Sequence, residues 1–171
     1  TNVIHGKMKW IGGTMAGPGS MTIASDGELE LNGGPSKRFQ DGRVIHNNGT
    51  LTWLGSGNFE GFNGPALNNN GLFQIGSDRI MNYLNTGAVP IFTNNGIVRK
   101  SGASGTTTIE FTFVNNGTLD LQSGRVSLSG SYSPAPSSSL TVAIGGLTPG
   151  TEFGQLSVGG AASLQGTLNI V

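Results

Sequence analysis

The stretch Val114-Asn115-Asn116-Gly117-Thr118-Leu119-Asp120-Leu121 decides the fold, because five earlier stretches repeat its plan. The same point of the pattern falls at Gly6, Gly27, Gly49, Gly71, Gly96 and Gly117, at spacings of 21, 22, 22, 25 and 21 residues. The second residue after each glycine is apolar: Met8, Leu29, Leu51, Phe73, Val98 and Leu119. The third is polar, and the fourth is Trp10, Leu31, Trp53, Ile75, Lys100 or Leu121. A fixed period of this length marks a stack of like units, each too small to bury a core alone.

Apolar residues two apart, separated by a polar one, make a strand with one buried face. The fourth residue before the glycine is apolar as well, at Ile23, Ile45, Leu67, Phe92 and Phe113. A strand therefore arrives, an Asn-Gly or Asp-Gly corner turns it, and a strand leaves. Glycine's access to positive φ suits it to such a corner. An antiparallel hairpin explains each unit singly. It does not explain why six units keep one phase.

Charges across the repeats favour parallel stacking. In register at roughly 4.8 Å, Lys7 lies beside Glu28, Lys9 beside Glu30 and Arg99 beside Asp120. The corner residues Asp26, Asn48, Asn70, Asn95 and Asn116 fall in one column, where side-chain amides are expected to form a ladder. The expected fold is all-β: a right-handed parallel β-helix, or β-solenoid, with 21–25 residues per coil. A β-sandwich is the rival architecture.

The register continues to the end of the chain. Ser138 lies 21 residues past Gly117 and leads into Leu140-Thr141-Val142. This predicts a single domain over residues 1–171 of about seven to eight coils, beginning near 6, 27, 49, 71, 96, 117 and 138. Residues 131–139 are expected to form a loop, and residues 140–171 the last strands. Asp78–Leu84 is the one helix-like stretch, an excursion from the longest coil. Lys100 breaks an apolar column, so a bulge is expected to carry it outward. Leu72 and Ile97 are neighbours in an outward column, expected to be covered by that excursion.

Composition bounds the function. The chain has nine Lys and Arg, nine Asp and Glu, thirty Gly and no Cys. Its zero net charge and lack of a basic patch argue against a nucleic-acid partner. No apolar run approaches membrane-spanning length, so no membrane insertion is expected. The Gly, Asn, Ser and Thr bias without cysteine suggests a bacterial extracellular or cell-surface location. The first residue is Thr, with no signal-like segment, which suggests a processed product or an excised fragment.

Two segments carry a resemblance. The first is Val114–Gly124. The second runs from Leu140–Gly146 through Gly150 to Gln155-Leu156-Ser157-Val158-Gly159-Gly160-Ala161-Ala162-Ser163-Leu164-Gln165-Gly166-Thr167-Leu168. They resemble the β-solenoid repeats of large bacterial surface proteins such as autotransporter passengers and filamentous adhesins. The resemblance implies secretion, right-handed coiling and a role at the cell surface.

Chemical constellations are few. His46 sits next to the corner column, and no His, Cys or carboxylate spacing suggests a metal. Glu28 and Glu30 share one strand face at roughly 7 Å, a spacing open to paired-acid chemistry on glycans. Each also faces a lysine of the preceding coil, which favours a solvated ion-pair surface. The expectation is a non-enzymatic structural module without catalytic, cofactor or metal residues. A carbohydrate-active or carbohydrate-binding β-helix is the alternative. The bare apolar strand Thr167–Val171 and the early first rung suggest a segment of a longer rod or copies stacked head to tail. Trp10, Leu168, Ile170 and Val171 form the candidate assembly edge, with the chain itself, flanking coils or surface glycans as candidate partners.

Overall fold

The structure is a computed structural model and describes residues 2–171. It is an all-β parallel solenoid without helices among the described residues. Coils as far as Asn115 contribute strands to three faces, and the later ones to the first two only. The first face follows the corner glycine: Thr50–Trp53, Leu72–Ile75, Ile97–Lys100, Thr118–Leu121, Ser139–Val142 and Thr167–Ile170. The second face holds Gly13–Met15, Lys37–Gln40, Phe59–Phe62, Ile80–Tyr83, Thr106–Ile109, Arg125–Leu128 and Gln155–Val158. The third holds Arg43–Asn47, Ala66–Asn69, Ile91–Asn94 and Thr112–Asn115. Two long strands, Asn2–Trp10 and Gly19–Leu31, bend across the third and first faces and join them into one 12-stranded sheet.

The register is that of the sequence columns. Lys7 pairs with Glu28, Lys9 with Glu30, Thr52 with Gln74 and Arg99 with Asp120, all in parallel strands. Leu29, Leu51, Phe73, Val98 and Leu119 lie fully buried in one stack. Alternation forces this outcome, since a one-residue slip would turn every one of them to water. The arriving strands add Ile23, Ile45, Leu67 and Phe92, also fully buried, and Phe113. Aromatic rings continue along the axis: Phe92 lies 5.0 Å from Phe113, and Phe113 stacks on Tyr132 at 6.3 Å. At the other end Phe39 and Phe59 stack at 4.7 Å, with Trp10 edge-on to Phe59.

The corner glycines are required for a reason other than the expected positive φ. Only Gly6 of this column adopts it, at 72°. At Gly71, Gly96 and Gly117 an added Cβ would collide with the carbonyl oxygen of the glycine one coil earlier. The backbones approach too closely at this corner for any side chain. Positive φ belongs instead to the corner between the second and third faces, at Asp41, Asn63 and Asn85, with values of 59°, 57° and 53°.

Three local expectations are corrected. The helix-like stretch contains the strand Ile80–Tyr83, paired with Phe59–Gly61 and Thr108–Ile109. Its inward Met81 continues the core, which outweighs helix propensity over so short a segment. The long coil's extra residues form the connection from Leu84 to Pro90 at a different corner, so Ile97 stays exposed and Leu72 half-buried. Within the 131–139 loop, Tyr132 is buried and bridges to Ala162. Lys100 does not bulge: it pairs in register with Ile75 and Leu121 and is fully buried.

Candidate functional site

The corner before the glycine carries two amide ladders. The outer one joins the expected residues: Asn70 donates to Asn48, Asn95 to Asn70 and Asn116 to Asn95, each at 2.9 Å. Asp26, one coil earlier, pairs with His5 Nδ1 at 2.9 Å. All four asparagines are exposed. Water can replace a lost partner there, so Asn95→Ala is expected to cost only about 0.5–1 kcal/mol. Urea unfolding of the variant checks this.

The inner ladder was missed by sequence reasoning. Asn47 donates to Asn69 at 2.6 Å, Asn69 to Asn94 at 2.8 Å, Asn94 to Asn115 at 2.8 Å and Asn115 to the Tyr132 hydroxyl at 3.1 Å. Asn47, Asn69 and Asn94 are fully buried. Each also donates to a main-chain carbonyl of the first face, Leu72, Ile97 and Thr118 respectively. The ladder starts where the preceding coil has no asparagine, and Asn47 Oδ1 is left without a partner. Its signal was in the sequence. Asn47 lies two residues after Ile45, and Asn69, Asn94 and Asn115 lie likewise after Leu67, Phe92 and Phe113, so all share the inward face.

A second polar group surrounds the buried Lys100 and reaches the surface at Asp78. Its Nζ donates to Ser77 O at 2.7 Å and to Asp78 Oδ1 at 2.6 Å. Asp78 Oδ2 accepts from Gly105 N, and Thr107 Oγ1 donates to Ser77 O. Lys37 is also fully buried, with its Nζ on Gly33 O at 3.0 Å, and burial lowers its pKa. Both lysines tie a corner of the chain to the core.

The chain matches no family model, no curated protein and no solved structure.

The acidic residues of the first coils are engaged by cations. Lys7 reaches Glu28 at 2.9 Å and Glu30 at 2.6 Å, and Lys9 lies 3.6 Å from Glu30. Lys7, then Asn32, hold the Glu30 carboxyl down at about 2 against the effect of burial. The same contacts raise the Lys7 pKa. Asp26 and Glu28 line an open groove with Gly6, Lys7 and Thr50. Among the described residues no three His, Cys, Asp or Glu come together as a metal site. No helix among them is long and apolar enough to cross a membrane.

The candidate assembly residues divide. Trp10 is buried, its ring against Phe59 and its Nε1 on Gly12 O at 2.9 Å, so it closes the core and offers no side chain to a partner. Leu168, Ile170 and Val171 are exposed at 62%, 57% and 69%. Thr167–Ile170 pairs with Ser139–Val142, and its other edge carries no strand among the described residues. Tyr132, Pro134, Leu140, Leu164 and Leu168 surround an apolar cavity of about 130 Å³ beside it.

Proposed function

We propose that this chain is a non-enzymatic structural module of a bacterial extracellular surface or secreted fibre, of the autotransporter-passenger or filamentous-adhesin kind. The observation that carries this reading is the unbroken first-face ladder that ends, among the described residues, in an apolar strand with no strand on its other edge. Parallel edges of this sort accept further strands. Another coil continues the buried columns: Leu168 and Ile170 stand where Met8 and Trp10 stand in the first rung. The outward residues Thr167 and Asn169 meet Lys7 and Lys9 without like-charge repulsion. A heterologous contact of this kind propagates into a fibre. The pairing of Asp26, Glu28 and Glu30 with His5, Lys7 and Lys9 favours a structural role for them over glycan chemistry.

The test is sedimentation velocity over a concentration series. The unmodified chain is expected to associate as concentration rises, and Leu168→Lys to stay monomeric, since a lysine in the buried column blocks the next coil. An unmodified chain that stays monomeric at the highest concentration overturns end-to-end assembly.

A further inference from the structure

Six Asn-Gly dipeptides occur in the chain, at Asn32, Asn48, Asn63, Asn70, Asn95 and Asn116. Asn-Gly is the dipeptide most open to attack by the following backbone nitrogen on the side-chain amide carbon, because glycine has no side chain to hinder it. Four of the six have that nitrogen engaged on another coil. Gly71 N donates to Asn47 O, Gly96 N to Asn69 O and Gly117 N to Asn94 O, each at 3.0 Å, and Gly64 N to Ala88 O at 2.8 Å. Their asparagine amides are held as well, three in the outer ladder and Asn63 on Asp41 Oδ1 at 2.8 Å.

Asn32 is arranged differently. Gly33 N points at Asn32's own side chain, 2.7 Å from Oδ1. Glu30 Oε1 holds Nδ2 at 2.5 Å and so fixes which way the amide faces. Asn32 N is tied to Trp10 O. Gly33 is pinned at φ 80°, with its carbonyl taking Lys37 Nζ and Gly57 N. Nucleophile and electrophile are thus held together on a half-buried, solvent-reachable corner.

We infer that Asn32-Gly33 is a site of self-modification, closing to a succinimide and opening to aspartate or isoaspartate, while the engaged glycine nitrogens protect Asn63, Asn70, Asn95 and Asn116. Hydroxide removes the Gly33 amide proton, and the nitrogen forms a bond to Asn32 Cγ. The Cγ–Nδ2 bond breaks, and Nδ2 leaves as ammonia after taking a proton from water. A second water opens the ring at either carbonyl. No co-reactant besides water is needed. The product places a second carboxylate against Glu30 where an amide donor stood, and isoaspartate lengthens the backbone at the corner that lies against Ile11. This conclusion is independent of the fibre reading, since it rests on one corner of the second coil.

The test is peptide mapping by mass spectrometry after incubation of the folded protein at mildly alkaline pH, beside the same chain in denaturant. Folded, Asn32 is expected to convert at least about tenfold faster than Asn63, Asn70, Asn95 and Asn116, since alignment of reacting atoms is worth that much or more. In denaturant the gap is expected to close. Asn32→Gln is expected to remove the dominant product, because the longer side chain disfavours ring closure. Equal rates in the folded protein, or an undiminished gap in denaturant, would overturn the assignment.

Discussion

Asp78→Ala will destabilise the protein by about 3 kcal/mol, the cost of leaving a buried ammonium without its counter-charge. Lys100 is fully buried, and Asp78 is its only carboxylate within ion-pair distance among the described residues. Removing the carboxylate leaves the ammonium on Ser77 O alone and strips Gly105 N of its acceptor. Lys100→Met is expected to behave in the opposite way. Its column neighbours are Ile75 and Leu121, so an apolar side chain of similar length suits the site. The loss should be under about 1 kcal/mol, because replacing a buried ion pair with apolar packing is often neutral. Urea unfolding of the two variants checks the pair. Equal, small losses would show that Lys100 reaches water by another route.

Asn94→Ala will cost about 3 kcal/mol in the same measurement, several times the loss at its neighbour Asn95. The two residues are adjacent in sequence and sit in ladders of similar geometry. Their difference is burial: Asn94 is fully buried and Asn95 exposed. Truncating Asn94 removes the donor to Asn115 Oδ1 and to Thr118 O, and the acceptor of Asn69 Nδ2. Each buried polar group stranded in this way costs about 1–3 kcal/mol, where an exposed one recovers a water. The ladder ends on the Tyr132 hydroxyl, so its loss should loosen the ring stack on Phe113.

The parallel register was legible because the glycine column, the apolar columns and the three ion pairs all point to the same phase. The third face and its corner were harder to read. Asp41-Gly42 and Asn63-Gly64 repeat there, but Asn85 is followed by Thr86 and a longer connection, so the period is lost after two units. The inner asparagines were hidden by their neighbours. Asn-Asn-Gly reads as turn chemistry throughout, although strand alternation already places the first asparagine inward. Lys100 was read by its charge alone. A single lysine in an apolar column says nothing of Ser77 and Asp78, which the fold brings to it from the coil before. Trp10 was assigned to an outer edge from its position in the chain, whereas its indole finds Phe59 across the core.

The central claim is parallel, in-register stacking of coils held by the core columns and the inner ladder. Cross-strand contacts between backbone protons, read by NMR on the isotope-labelled chain, test it most directly. The account predicts that residues around Phe73 contact those around Leu51 on one side and Val98 on the other, with Thr52 opposite Gln74. Contacts instead between Asn47 and Thr50, and between Ile45 and Thr52, would place an antiparallel hairpin at Asn48-Gly49 and contradict the solenoid.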